Sequence, residues 1–533
     1  MYGFLRERLG RRDLFRGGAL AAFAGLFRSS AGASAPAAGL KLGSDLYQSI
    51  GVRPLINARG TFTIISGSLM LPEVRAAMVE ASQHHVHIDE LMDAIGARLA
   101  ELTKAEWGMV SCGCAAALTH ATAACIAGGN PDLHVRIPNL SGFPKDEVII
   151  PKHSRNVYDA AVRCVGAKIL EVGTAEELEA AFGPKTAMIY ILAGPQADSG
   201  PLSTRAIADA AKQRNVPVLV DAAAEILTVP NVHLENGATL VAYSGGKCIR
   251  GPQTAGLLLG RKNLVQAAWV HSSPHHGFAR SMKIGKEEAM GMLMAVEMWM
   301  KRDHKAEWNQ WMARLDHVSK RLSGIDGVTT SVREPNGLSN RTPSLVISWD
   351  AARLGISGRD VAQYLLNTEP RIALPTGGGG RGMGGRTQTG VSVVPYQMSA
   401  GDEKIVADRL YATLKNPPKR EDPPVRPPAA DLTGRWNVHI DYLASGSDHV
   451  LHLKQQDGRI EGTHQGEFVS RDLGGSISGD EVRLFSAYTE RHGDSLMFQF
   501  TGKVAGDGIS GTLDMGEYLQ ARWTANRHEF RRR

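Results

Sequence analysis

Lys247 stands in Tyr243-Ser244-Gly245-Gly246-Lys247, and Arg250-Gly251-Pro252-Gln253-Thr254-Ala255-Gly256 follows closely. So many small residues at the end of an apolar run let a ligand come close to the backbone. Burial disfavours the ammonium form of a lysine and leaves an amine able to condense with an aldehyde. A solvated turn lysine is the plainer alternative. Upstream, Asp221 ends the apolar run Val216-Pro217-Val218-Leu219-Val220. A carboxylate at the C-terminal edge of a sheet lies where α/β folds bind ligands, and it can pair there with a protonated ring nitrogen. A lone Asp at a strand end would mean little, but it gains weight from Lys247. Ser111-Cys112-Gly113-Cys114-Ala115-Ala116-Ala117 leads into a helical pattern through Leu118, Thr119 and Ala123. Small residues before a helix expose N–H groups to a phosphate, whose charge the helix dipole favours. Close helix packing would use the same residues. His153, just after the run ending at Ile150, could stack on a ring or simply face water. An amine, a carboxylate for a ring nitrogen and a phosphate cradle together are the parts of a pyridoxal phosphate (PLP) site.

Such parts need a scaffold, and from Leu46 to Leu414 apolar runs alternate with helical stretches, as in an α/β domain with a largely parallel sheet. Glu147 to Ile150, Lys168 to Val172, Thr186 to Leu192 and Val216 to Val220 read as buried strands. Thr174 to Phe182, Ser203 to Arg214 and the Met-rich Glu287 to Lys301 read as helices, with the methionines in the core. Residues 45–304 are expected to form the large domain and 305–415 a smaller α/β lobe, interrupted by a mobile glycine loop from Gly377 to Gly390. PPKREDPPVRPP, within 416–430, predicts a semi-rigid linker. Beyond it, residues 431–533 show short alternating strands such as His449 to Leu453 and Leu496 to Phe500, broken by recurrent glycines. An antiparallel barrel or sandwich is expected there. Gly434-Arg435-Trp436 resembles the start of lipocalin-like barrels, although a plug for an open barrel end accounts for Trp436 equally well.

The 533 residues are 43% hydrophobic and 21% charged, a globular composition with room for a large core. A net charge of +6 without a long Lys/Arg block gives no reason to expect a nucleic acid partner. Five scattered cysteines suit core or active-site thiols better than a disulfide framework. Arg11-Arg12-Asp13-Leu14-Phe15-Arg16, the short apolar stretch to Phe27 and Ala31-Gly32-Ala33 form a twin-arginine signal pattern over residues 1–33. The expected protein is exported to the periplasm or beyond, with no membrane span left after cleavage.

The chemistry-bearing residues, with Gly51-Val52-Arg53-Pro54-Leu55-Ile56-Asn57-Ala58 and Met282-Lys283-Ile284-Gly285-Lys286-Glu287-Glu288, resemble fold type I PLP enzymes. Within them the chain resembles the L-seryl-tRNA selenium transferase-like group that includes D-glucosaminate-6-phosphate ammonia lyase. The resemblance implies a mostly parallel sheet of the seven-stranded type with a small C-terminal α/β lobe. It implies Lys247 as the Schiff-base and proton-transfer residue, Asp221 as pyridine partner, and Ser244 with Gly113, Cys114 and Ala115 as phosphate ligands. His153 would stack on the ring, and Arg371 would bind a substrate carboxylate unless it serves only a surface ion pair. A homodimer or larger homo-oligomer is implied, with Lys283 and Lys286 reaching the neighbour's phosphate. The tRNA-binding region of a selenium transferase has no counterpart here, and an exported protein would not meet charged tRNA, so that activity is set aside. The expected reaction is α,β-elimination on an amino acid or amino sugar acid, with racemisation or transamination as alternatives on the same scaffold. A non-catalytic periplasmic binding protein is the alternative of another class.

Overall fold

A computed structural model describes residues 39–376, 388–418, 424–490 and 492–528. The signal pattern at 1–33, most of the expected glycine loop (377–387) and residues 419–423 of the linker lie outside the described residues. Two compact units are present, one of residues 53–418 and one drawn from 39–52 and 424–528. Among the described residues no helix is long and apolar enough to cross a membrane.

The first unit begins with β1 (Ile56–Asn57), followed by β2 (Trp107–Ser111), β3 (Glu147–Pro151), β4 (Lys168–Val172), β5 (Thr186–Leu192), β6 (Val218–Asp221), β7 (Leu240–Ser244) and β8 (Gly256–Gly260). The last seven form one sheet in the order β2-β8-β7-β6-β5-β3-β4. Only β8 runs against its neighbours; the other pairings are parallel. Apart from the edge strand β4, which is only partly buried, these strands are short, apolar and buried on both faces, as helices on either side of a parallel sheet require. The helix Gly113–Ala127 is buried nearly all round, because Ala and Cys give it the slim profile needed to pass between the sheet and its neighbours. The strand expected from Val216 starts instead at Val218, after Pro217, which has no N–H for the ladder.

A second lobe is built from β9 (Val328–Arg333), β10 (Ser344–Asp350), β11 (Ile372–Ala373) and β12 (Gln388–Val393). The sheet β12-β10-β9 is antiparallel, and alternate residues Leu345, Ile347 and Trp349 point into a core shared with the helices His304–Leu322, Gly358–Asn367 and Asp402–Lys415. Two expectations change here. Segment 56–58, expected in the large domain, hydrogen-bonds to β11, and Ala58 is buried in this second core. The expected glycine loop becomes strand from Gln388 onward, and Gly390 lies so close to Gly358 that a Cβ on Gly358 would come within 2.0 Å of the Gly390 carbonyl oxygen.

In the other unit, β13 (Gly434–Asp441), β14 (Gly446–Gln456), β15 (Arg459–Gln465), β16 (Ser470–Ser478), β17 (Glu481–Thr489), β18 (Ser495–Ala505), β19 (Gly508–Asp514) and β20 (Gln520–Arg527) follow one another as antiparallel neighbours. Pairing of β20 with β13 closes the barrel and leaves no free edge. Buried and exposed residues alternate along each strand, so Trp436, Leu451, Ile460, Leu484, Phe500 and Trp523 fill one interior. Trp436 is fully buried and its Nε1 donates to the Leu432 carbonyl at 2.9 Å, which pins the incoming chain across one barrel end.

Candidate active site

Strands β6 and β7 run parallel and finish side by side, so Asp221 and Ser244 emerge at the same C-terminal edge of the sheet. The turn after Ser244 carries Lys247. It is held by the Gly245 N–H donating to the Ala255 carbonyl at 2.8 Å and the Gly251 N–H donating to the Gly245 carbonyl at 2.8 Å. Gly245 has no room for a side chain, since a Cβ would meet the Ala255 and Pro252 carbonyls at 2.8 Å. On the other side of the edge, β2 leads into the helix Gly113–Ala127, whose N-cap Cys112 makes no side-chain capping bond. The first N–H groups of that helix are therefore left for a ligand. Gly256 lets β8 lie against this turn; a Cβ there would come within 2.3 Å of the Gly113 carbonyl carbon.

Gly113, Cys114, Ala115, Asp221, Ser244 and Lys247 all line one cleft of about 720 Å3. A larger cavity, about 800 Å3, shares Asn340, Thr342 and Tyr396 with it but reaches neither Lys247 nor Asp221. Size does not locate chemistry here. Lys247, Asp221, Ser244 and the turn at 113–115 line the smaller cleft and not the larger cavity.

Asp221 is only 2% exposed. Its Oδ2 accepts from the Tyr190 hydroxyl at 2.9 Å and its Oδ1 from the Ala223 N–H at 3.1 Å, with the Cys114 thiol 3.7 Å away. Asn156 Nδ2 donates in turn to Tyr190 Oη at 3.1 Å. Burial raises the Asp221 pKa, and the Ala223 N–H, Tyr190, the Lys247 charge and Cys114 hold it back. The thiol of Cys114 is pushed well up by burial and by the neighbouring Asp221, so it stays neutral. Asp221 is thus a buried carboxylate supported by neutral donors, with no cation in hydrogen-bond contact among the described residues. A protonated ring nitrogen is the partner this environment lacks. The residues present fit PLP: Asp221 for the ring nitrogen, the turn at 113–115 and Ser244 for the phosphate, and Lys247 for the aldehyde.

Two other expected residues lie elsewhere. His153, in the turn after β3, is not among the cleft-lining residues; it is half-buried, its Nε2 has no partner, and burial lowers its pKa. Arg371 does not reach the cleft either. Its Nε donates to the Leu366 carbonyl at 2.6 Å and its Nη1 to the Arg53 carbonyl at 2.8 Å, so the guanidinium ties the second lobe to the incoming chain. Lys286 is likewise engaged within its own chain, donating to the Ala81 carbonyl at 2.8 Å and pairing with Glu287.

The arginines that do line the cleft are Arg59 and Arg333. Asn57 Oδ1 accepts the Arg59 and Gly60 N–H groups, both at 3.0 Å, and this turn sets the Arg59 backbone, while its guanidinium lies 4.5 Å over the Phe62 ring. Arg333 ends β9. Tyr396 also lines the cleft and hydrogen-bonds Thr61 Oγ1 at 2.7 Å, and burial pushes its pKa up to about 12. Sequence reasoning missed Arg59, Arg333, Tyr190, Asn156 and Tyr396. Arg59 directly follows the Gly51 to Ala58 motif, and that adjacency was the one available signal.

No family model matches the chain. D-glucosaminate-6-phosphate ammonia lyase of Salmonella typhimurium (strain 14028s / SGSC 2262) is 30% identical over 337 residues, covering 62% of this chain and 88% of the relative. A 5'-C-glycyluridine monooxygenase-decarboxylase of a Streptomyces species is 31% identical over 342 residues, covering 62% of this chain and 83% of the relative. The solved structure of a D-glucosaminate-6-phosphate ammonia-lyase superposes with a TM-score of 0.61 at 28% identity, over 70% of this chain and 99% of that one.

Proposed function

Since the chain belongs to the fold type I PLP-dependent family of D-glucosaminate-6-phosphate ammonia lyase and selenocysteine synthase, we propose that it is a lyase that removes ammonia from an acidic β-hydroxy amino acid or amino sugar acid. The observation that carries this reading is the meeting, in one cleft, of Lys247, Asp221, an uncapped helix N-terminus and two arginines. When bound, PLP supplies an aldehyde for the substrate amine and a protonated ring that draws electrons from the α-carbon. Asp221 keeps that ring nitrogen protonated, and Tyr190, oriented by Asn156, keeps the Asp221 carboxylate in place. Lys247 Nζ takes the α-proton. The β-hydroxyl then leaves as water, which returns in hydrolysis, so the net products are a 2-oxo acid and ammonia. Arg59 and Arg333 hold the substrate's anionic groups, for which a planar guanidinium fork is suited.

Phe62 and Tyr158, on the cleft lining, are 50% and 62% exposed, and Ile64, two residues after Phe62 in the chain, is 84% exposed. We place a second copy of the chain over this apolar rim, which sedimentation would detect as a dimer or larger oligomer. Export on the twin-arginine pattern belongs to the same reading and is checked by cell fractionation.

The test of the reaction is to incubate the protein with PLP, reduce with borohydride, and map the modified peptide, then to assay D- and L-3-hydroxy-2-amino acids, including phosphorylated sugar acids. Modification at Lys247 with release of ammonia and a 2-oxo acid is expected. An unmodified Lys247 would remove the PLP reading for this site, and inverted substrate without ammonia would replace elimination with racemisation.

A further inference from the structure

The larger cavity of the first unit, about 800 Å3, takes no part in the chemistry proposed above. It is lined from both lobes: by residues 224–229 after β6, by the turn after Lys247, by the helix His304–Leu322, and by residues 340–342 and 396–400. Five basic side chains face it, Arg250, Arg302, Lys305, Arg314 and Arg341. Among the described residues Glu307 is the one carboxylate on this lining, and Arg302 takes it up through Nε at 2.8 Å and Nη2 at 2.9 Å. Arg302 Nη1 donates to the Cys248 carbonyl at 3.0 Å, so this pair is complete in itself.

The other four cations have no carboxylate partner among the described residues. Arg250 Nε donates to the Leu69 carbonyl at 3.0 Å, and Arg314 Nη1 donates to the Pro395 and Met398 carbonyls at 3.2 and 2.6 Å. The remaining guanidinium nitrogens of both have no acceptor among the described residues, and none of them is sealed from solvent. Arg250 also sits at φ 59°, in the left-handed region that a side chain disfavours. Its N–H donates to the Lys247 carbonyl at 3.0 Å and its carbonyl accepts from the Leu71 N–H at 3.3 Å, so a strained turn fixes this arginine in place. Burial lowers the Arg250 pKa, and the Arg302 and Arg314 charges lower it further against Glu307. The cavity is short of negative charge, and walls of one sign concentrate the field on an anion.

Aromatic rings share this lining. Trp308 and Trp311 stand nearly one turn apart on the helix His304–Leu322, with ring centroids 6.2 Å apart, and Trp311 meets Tyr396 edge-on at 6.1 Å. Both tryptophans are only half-buried, and neither belongs to a hydrophobic core among the described residues. Large rings at a cavity wall with no core to pack into are suited to cover a planar apolar group.

We propose that this cavity is a binding site for a small aromatic phosphate, whose ring lies against Trp308 and Trp311 and whose phosphate pairs with the cations that lack a carboxylate. A phosphate fits better than a carboxylate because several cations are unpaired, and its two charges and three acceptor oxygens can use several donors at once. The site is separate from the cofactor's phosphate turn at 113–115, which lines the cleft and not this cavity. It concerns binding and stands apart from the lyase reading.

Calorimetric titration of the full-length protein tests this, after PLP has been fixed with borohydride and the excess removed so that the turn at 113–115 is filled. Phenyl phosphate should bind once per chain, and inorganic phosphate and phenol each roughly tenfold more weakly or worse, since each lacks one half of the ligand. Lys305→Met combined with Arg341→Met removes two exposed side chains that have no partner among the described residues, and it should weaken phenyl phosphate roughly tenfold. Trp308→Leu should weaken it by a similar factor, the size of one ring stacked on an aromatic side chain. Arg59→Met, in the cleft, should leave it unchanged. No binding of phenyl phosphate, or binding no tighter than that of inorganic phosphate, overturns the proposal without recourse to any variant. Binding that survives both the Lys305 and Arg341 double change and Trp308→Leu, or that Arg59→Met abolishes, overturns it as well. Failure of borohydride to fix PLP counts against the lyase reading alone, because the Arg59→Met arm still separates cleft from cavity.

Discussion

Replacing Asp221 with Asn separates a functional carboxylate from a structural one, because the two roles predict opposite effects. In the cofactor-free protein burial raises the Asp221 pKa above its unfolded value. A carboxyl raised in this way contributes stability that is fully present below the unfolded pKa, about 3.9, and is lost as pH rises through the folded value. Burial therefore works against the carboxylate form as pH rises, until a cation is supplied. The Asn amide removes that penalty but has a single acceptor for the three donors now provided by Tyr190, Ala223 and Cys114. One lost hydrogen bond costs about 1 kcal/mol, so Asp221→Asn without PLP should unfold within about 1 kcal/mol of the wild type. With PLP the difference is large. Two unit charges about 4 Å apart at an effective dielectric near 20 attract by about 4 kcal/mol, and a transition state that loses all of this slows by roughly a thousandfold. Urea unfolding at pH 7 with and without PLP, alongside steady-state ammonia release, makes the comparison. A cofactor-free variant several kcal/mol less stable than wild type, with PLP binding and turnover intact, would refute the reasoning and make Asp221 a fold residue.

Other expectations follow from the same geometry. Tyr190→Phe removes the donor to Asp221 and leaves Asn156 Nδ2 with only its bond to the Ser154 carbonyl; PLP affinity should fall roughly tenfold, the size of one hydrogen bond to a charged group, as read by fluorescence titration. Gly256→Ala would push a methyl to within 2.3 Å of the Gly113 carbonyl carbon, and the resulting shift should cost about 1–3 kcal/mol of stability and most of the PLP affinity. Arg59→Met or Arg333→Met should raise KM for acidic substrates about tenfold or more while leaving PLP binding unchanged, since both line the cleft and neither hydrogen-bonds Asp221. His449 and His464 fold neutral with lowered pKa values, so their contribution is present above the unfolded pKa near 6.5 and is lost as pH falls towards about 4 and about 3; the Arg471 charge adds to the same direction. Barrel stability measured by near-ultraviolet circular dichroism should drop between pH 6.5 and 4, and His464→Gln should flatten that profile.

Residues at the ends of sheet strands were legible from the sequence because each is announced locally. Asp221 closes an apolar run, Ser244 closes another, and the glycines around Lys247 and the alanines after Gly113 have spacings that only a close approach of backbone explains. A parallel sheet then brings such ends to one edge whatever lies between them, so Gly113 to Ala115, Asp221, Ser244 and Lys247 share a cleft. The barrel was legible for a similar reason, since alternation and recurrent glycines are local properties. Fold class and family could be read from the chain alone.

The cations that meet the substrate could not. Arg371 stands in a stretch that suggested a carboxylate partner, yet its guanidinium is used by the Leu366 and Arg53 carbonyls. Arg59 and Arg333 reach the cleft through an Asn57 turn and a strand end in the other lobe, placements that depend on β1 pairing with a strand more than three hundred residues later. The same holds for the barrel, where Arg471 reads as one more polar residue in an alternating strand until ring closure turns it inward without a counter-ion. A sequence determines which segments are strands and which small residues permit close approach, because those preferences act over a few bonds. Which charge ends up paired, and which is left buried and waiting, is decided by contacts between distant segments that only the folded chain brings together.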